Sequence, residues 1–84
     1  MLNGELFVKR TQAEGTAAAY PDLGCSFETF TNADFLELET LGPVRTLLPG
    51  ETVTHTERWS AHKDVHISKW NDTELDRVLG PLLR

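Results

Sequence analysis

The sequence has little cysteine, little positive charge and no long hydrophobic run, and each shortage excludes a class of protein. The 84 residues include one cysteine, Cys25, so no disulfide can form within the chain. Lysine and arginine number 8 against 13 aspartates and glutamates, and the net charge of −5 argues against nucleic acid or an anionic membrane as a partner. No apolar run approaches the roughly 20 residues of a membrane span, and the first residues lack the features of a signal peptide. We therefore expect a cytoplasmic protein.

The length of the chain predicts one small domain, 1–84. A domain of this size buries roughly 60% of the surface of its unfolded chain, and disulfides, a metal ion or oligomerisation usually supply the missing stability. The sequence has no glycine-rich phosphate loop, no nucleophile elbow and no basic patch, so it predicts no cofactor.

Alternating side chains separated by proline and glycine turns predict a mainly β fold. Successive side chains of a strand point to opposite faces of its sheet, and proline cannot donate to a central ladder. The predicted strands are 5–10, 25–31, 35–41, 44–48 and 51–67. Such short antiparallel strands are typical of a β-sandwich or part of one. Their exposed edges favour pairing between chains, and we expect a homo-oligomer.

One helix is predicted after the strands, at about 72–79. Asn71 is a suitable N-cap and Glu74 follows three residues later, as in a capping box. Apolar residues then recur at helical spacing. Gly80 suits the position after a helix, and Pro81 prevents its continuation.

Two glutamates, Glu37 and Glu39, share one face of the predicted strand 35–41. Carboxylates are costly to bury without a partner, so their placement needs a reason. A carboxylate in a cleft can act as a general base. The alternative is a solvated strand face, or pairing across the sheet with Arg45 or Arg58.

Histidines and tryptophans each allow a site interpretation beside a structural one. His55, His62 and His66 raise the possibility of zinc, but four positions along an extended segment separate two histidines by roughly 13 Å. Surface or interface histidines are favoured, and no metal is predicted. Trp59 and Trp70 can stack on a sugar ring, whereas such tryptophans more often anchor a core or a subunit interface. We expect Trp59 in the core and Trp70 at an interface or against the helix.

Two elements in order resemble the C-terminal part of the aldose 1-epimerase, or galactose mutarotase-like, superfamily. The first is the strand Phe-Leu-Glu-Leu-Glu-Thr at 35–40, which contains the Leu-Glu-Thr element of that family. The second is Leu-Pro-Gly-Glu at 48–51, followed by a threonine-rich segment that ends at Trp59. The segments Tyr-Pro-Asp at 20–22 and Phe-Glu-Thr-Phe-Thr-Asn at 27–32 further resemble an uncharacterised branch of the superfamily.

The resemblance implies an antiparallel β-supersandwich with a sugar-binding groove. It assigns the general base to Glu39, which would remove the proton of the anomeric hydroxyl before the ring opens. Trp59 and Glu37, the latter without a counterpart in the family, are the candidate substrate contacts. The histidine that protonates the ring oxygen lies upstream in the family and has no counterpart here. The implied function is a carbohydrate-binding module without the full machinery of the isomerase. The alternatives are a non-catalytic homo-oligomeric β-scaffold, with Glu37 and Glu39 at an interface, and a metal site at the histidines.

Overall fold

The fold is known from a computed structural model that describes all 84 residues, Met1–Arg84. It has four strands, β1 (Leu6–Arg10), β2 (Phe27–Thr31), β3 (Leu36–Thr40) and β4 (Arg58–His62). The helix Asp72–Leu79 follows, and short helical turns lie at Ala17–Ala19, Pro21–Gly24 and Gly80–Leu82. The strands form two antiparallel sheets of two strands each. The predicted fold class, mainly β with a short C-terminal helix, is confirmed.

The chain divides into two compact units. The first unit comprises 1–10 and 58–84, and the second comprises 11–57. Two side chains are buried, Val65 of the first unit and Tyr20 of the second, with 5% and 8% of their surface exposed. Each unit is therefore held together mainly by hydrogen bonds and half-covered apolar groups. No helix of the structure is both long enough and apolar enough to cross a membrane.

In the first unit, β1 pairs with β4 so that Leu6 lies opposite His62 and Arg10 lies opposite Arg58. After β4 the chain turns back toward its first residues, where the Val65 amide donates a hydrogen bond of 2.8 Å to the Gly4 carbonyl. This bond holds the backbone of Val65 beside Gly4.

The helix of the first unit begins as the capping pattern predicts. The Asn71 side chain Oδ1 accepts a hydrogen bond of 2.8 Å from the Glu74 amide. Glu74 also accepts two bonds from the Arg77 guanidinium, at 3.0 and 2.6 Å. The helix ends at Leu79, but Gly80 has φ −50° and ψ −51°, so the chain continues into a 3-10 turn instead of using a left-handed cap.

In the second unit, β2 and β3 form a hairpin whose register runs from Phe27 opposite Thr40 to Thr31 opposite Leu36. The Asn32 side chain shapes its loop, because Oδ1 accepts bonds of 2.8 and 2.9 Å from the Asp34 and Phe35 amides. Such side-chain capping of the following backbone is the usual role of asparagine in turns.

The remainder of the second unit is irregular chain held by specific bonds. The Tyr20 hydroxyl accepts a hydrogen bond of 2.6 Å from the Glu14 amide, and the Val44 amide donates one of 2.7 Å to the Ala19 carbonyl. Glu14 also forms an ion pair with Arg45.

The predicted strand 44–48 is wrong, and the predicted strand 51–67 is too long. No strand occurs at 44–48, and only Arg58–His62 of the second prediction is one. Both segments lack a neighbouring strand for a hydrogen-bonded ladder, and alternation of side chains does not supply one. Beyond β4, Asp64 has a positive φ of 58°, which turns the chain away from the strand direction. The predictions 5–10, 25–31 and 35–41 correspond to β1, β2 and β3, and the helix 72–79 has its predicted bounds.

The N-cap bond gives a testable prediction about the helix. Replacing Asn71 by alanine removes the acceptor for the Glu74 amide and should lower the free energy of unfolding by about 1 kcal/mol. Urea denaturation followed by circular dichroism at the helical wavelength measures this change. Asn71→Asp keeps the acceptor and should retain most of the stability. Equal stability of Asn71→Ala and the wild-type chain would contradict the capping role.

Candidate functional site

The β2–β3 hairpin has two chemically different faces. Residues that lie opposite each other in an antiparallel pair point to the same side, and neighbours along a strand alternate. One side, which we call the acidic face, carries Glu28, Phe30, Phe35, Glu37 and Glu39. The other side, which we call the apolar face, carries Phe27, Thr29, Thr31, Leu36, Leu38 and Thr40. The grouping of Glu37 with Glu39 and Phe35 follows the predicted alternation.

The acidic face places like charges next to each other. Glu39 lies opposite Glu28 in the register, and Glu37 is two positions away on the same strand. Glu37 and Glu39 are both exposed to solvent. A hydrogen bond with the Glu39 carboxyl raises the pKa of Glu37, with smaller contributions from desolvation and from the charge of Glu39. Glu37 therefore holds a proton more readily than an isolated glutamate does.

Glu28 is a third member of this face that the sequence reasoning did not select. A hydrogen bond with Asp22 is the main cause of the raised pKa of Glu28, and desolvation and the charges of Asp22 and Glu39 add to it. The signal was present in the sequence, because Glu28 alternates with Phe27 and Thr29 in the predicted strand. Identifying it required the register that sets Glu28 opposite Glu39.

Two aromatic rings adjoin the carboxylates on the acidic face. The ring centroids of Phe30 and Phe35 lie 5.9 Å apart at an interplanar angle of 41°. Phe30 is directly opposite Glu37 in the register. About half of each ring is exposed, 51% for Phe30 and 50% for Phe35. The face thus combines strong hydrogen-bond acceptors with open apolar ring surface.

Neither of the two arginines considered as partners forms an ion pair with these glutamates. Arg45 pairs with Glu14, and Arg58 belongs to β4 of the first unit, opposite Arg10. Of the two alternatives to a general base, a solvated strand face therefore fits Glu37 and Glu39, and pairing with Arg45 or Arg58 does not.

A polar cluster at Thr40 occupies one end of the apolar face. The Thr40 hydroxyl donates a hydrogen bond to the Glu57 carboxylate, and its oxygen lies 2.8 Å from His55 Nε2. Since the hydroxyl has a single proton, His55 acts as the donor in the second bond. This cluster ties the segment before β4 to the hairpin.

The predicted substrate contact Trp59 belongs to the first unit, in β4. Its ring contacts Phe7 edge-to-face, with centroids 5.6 Å apart, and Lys9 Nζ lies 5.8 Å from its ring centroid. The ring is 64% exposed, so the prediction of a core position for Trp59 is wrong. Too little of the first unit is covered to enclose so large a side chain. Trp70 is 74% exposed.

The first unit also has an open groove of about 460 Å³ beside the helix. Basic side chains from the turn after β4 and from the helix line it, with Val65, Val78 and Leu82 as apolar neighbours. The polar lining residues are His62, Lys63, Asp64, His66 and Arg77. No group of three or more histidine, cysteine, aspartate or glutamate side chains in the structure is arranged to hold a metal ion.

Comparison with known proteins adds no relative: the chain matches no protein-family model, no curated protein and no solved structure.

The raised pKa of Glu37 gives a prediction that carboxyl NMR can test. Glu39→Gln removes the competing carboxyl and supplies an amide donor, so the pKa of Glu37 should fall toward its ordinary value. Glu51→Gln, on the loop after Gly50, should leave it unchanged. A Glu37 titration that is identical in all three chains would show that Glu39 is not the cause.

The same shift has a defined effect on stability. A raised pKa in the folded chain means that Glu37 binds its proton more tightly there than in the unfolded chain. The contribution of Glu37 to the free energy of unfolding is therefore present at low pH and is lost as the pH rises through the pKa of the folded chain. Glu74 acts in the opposite direction, because its bonds to Arg77 lower its pKa and that contribution is lost as the pH falls. Site-resolved titration therefore separates the two, whereas a denaturation curve reports their sum.

Proposed function

We propose that this chain is a cytoplasmic, carbohydrate-binding β module similar to the mutarotase-like proteins, with Glu39 as its principal sugar contact. The observation that carries the proposal is the acidic face, where Glu37 and Glu39 adjoin the rings of Phe30 and Phe35 on one exposed side of the hairpin. The Leu-Glu-Thr element at 38–40 supports the same residue.

The chemistry of this face suits a sugar. Sugar hydroxyls donate hydrogen bonds, and bonds to a charged acceptor contribute about 1.5–3 kcal/mol each. The apolar side of a pyranose ring packs against an aromatic face. Glu37 and Glu39 provide adjacent acceptors, while Phe30 and Phe35 provide ring surface beside them.

Binding without turnover is the proposed activity. Aldose 1-epimerase chemistry needs a base at the anomeric hydroxyl and an acid at the ring oxygen, and each contributes about 10²–10⁴-fold to the rate. Glu39 is in the position of the base. The one histidine of the second unit, His55, bonds to Thr40, which points to the apolar face. The acidic face therefore lacks a histidine of its own unit to act as the acid.

Titration with galactose and glucose, followed by amide NMR, tests the proposal. Millimolar sugar should shift the amide resonances of Phe30, Glu37 and Glu39. Glu39→Gln should weaken binding at least about tenfold, since it removes the charge of one acceptor. Glu51→Gln changes the same charge away from this face and should bind as the wild-type chain does. An absence of shifts on β2 and β3 at millimolar sugar would refute the proposal.

A non-catalytic homo-oligomeric β-scaffold is the second candidate function. The observation that favours it is the strand number, because every strand of a two-stranded sheet has one unpaired edge. Under this candidate, Glu37 and Glu39 form ion pairs with another copy. Glu39→Gln should then change the mass measured by light scattering, whereas a sugar contact should change binding and leave the mass unaltered.

A further inference from the structure

The apolar face of the β2–β3 hairpin points to a further contact of this protein. We infer that this face is covered by the same face of a second copy of the chain, related by a two-fold axis. The inference concerns association alone and uses the side of the hairpin opposite to the proposed sugar contacts.

The apolar face has the composition of a covered sheet surface but is open in the single chain. Phe27, Leu36 and Leu38 are 51%, 59% and 36% exposed, and the threonines Thr29 and Thr31 between them are exposed as well. Antiparallel sheets commonly bury the apolar face and leave the polar face in water. Here the polar face is the acidic one, so the apolar face is the one that lacks its cover.

The chain exposes more surface area than a folded monomer of its mass usually does. A folded monomer of 9.4 kDa exposes about 5,000 Å² by the usual scaling with mass, whereas this chain exposes 7,044 Å². Treating the two units as separate bodies raises the expected area only to about 6,000 Å². The remaining excess, on the order of 1,000 Å², is summed over both units, so it is an upper limit on the area that a partner of this face would cover; a standard interface buries roughly 800 Å² on each partner.

Charge selects a second copy of the same face as the occupant. A two-fold contact sets a surface against its own copy, so a charged surface repels itself. The acidic face would oppose three glutamates to three glutamates. The second unit as a whole has eight acidic residues and one arginine, and this net charge of −7 opposes any pairing of two copies, least where the facing side chains are uncharged. The apolar face has no charged side chain among its six residues, and the Glu57 carboxylate bonds to Thr40 at one end of it. Two such faces, packed at the roughly 10 Å spacing of stacked sheets, form a four-stranded sandwich core.

Light scattering on the full chain tests the inference, with Leu36→Lys as the disrupting variant. The wild-type chain should have twice the mass of 9.4 kDa, and Leu36→Lys should raise the dimer dissociation constant at least about tenfold. Leu48→Lys is the matched control, because Leu48 is similarly exposed, at 63%, and lies in a loop outside the face. Amide NMR spectra establish that each variant remains folded.

Three mass results would overturn the inference: a wild-type monomer up to millimolar concentration, an assembly larger than a dimer, or a dimer that Leu36→Lys leaves intact. Should Leu36→Lys fail to fold, thiol cross-linking replaces it. Sheets packed face to face lie roughly 10 Å apart, too far for a disulfide between matching positions, so the reagent is a bismaleimide long enough to span that distance. Leu38 is central in β3, so Cys25→Ser/Leu38→Cys should be cross-linked to a dimer, and Cys25→Ser/Leu48→Cys should not. Equal cross-linking in both chains, or none in either, would also overturn it.

The two proposals fail separately. Loss of sugar-induced shifts in Glu39→Gln with an unchanged dimer mass supports both. A dimer whose acidic face shows no response to sugar removes the proposed function and leaves the second-copy contact in place.

Discussion

The register between β2 and β3 is the constraint on which the chemistry of this protein depends. With Phe27 opposite Thr40, all three glutamates of the hairpin point to one side, and the leucines and threonines point to the other. A slip of one residue in either strand would move all the side chains of that strand to the opposite face. The loop fixes this register, because the Asn32 side chain holds the amides of Asp34 and Phe35 at the point where the chain reverses. The side-chain bonds of Asn32, its backbone bond to Phe35 and the ladder together set where the carboxylates and the apolar side chains lie.

The parts of the fold that the sequence predicted are those specified by local chemistry. The helix at 72–79 has a cap and an apolar repeat within a few residues of each other, and its bounds were correct. The hairpin combines alternation with a turn, and it was also correct. The segments 44–48 and 51–57 alternate or lie between prolines and glycines, yet they are not strands. A strand needs a neighbouring strand to which its backbone can bond. The backbone hydrogen bonds of these segments go instead to isolated groups, such as the bond from the Val44 amide to the Ala19 carbonyl.

The candidate site, like the fold, could be predicted only where it depends on neighbours along a single strand. The shared face of Glu37 and Glu39 follows from the period of a single strand, so no partner is needed to predict it. The addition of Glu28 depends on the pairing of two strands, which alternation does not define. The misplaced core position of Trp59 has a different cause. Aromatic residues are usually covered in a domain with a full core, but only Val65 and Tyr20 are buried here.

The two faces of the hairpin also limit what can bind to each. Hydrogen bonds with Asp22 and Glu39 are the main causes of the raised pKa values of Glu28 and Glu37, and the charges of the neighbouring carboxyls add to them. An anionic ligand would bring further negative charge to this face. A neutral polyol avoids the resulting repulsion, since its hydroxyls donate to the carboxylates without adding negative charge. The apolar face offers few acceptors to such a ligand and gains most from excluding water. Because the two faces are opposite sides of one ribbon, covering the apolar face with protein leaves the carboxylates accessible. The proposed association and the proposed sugar binding are therefore compatible, because they use opposite faces of the same hairpin.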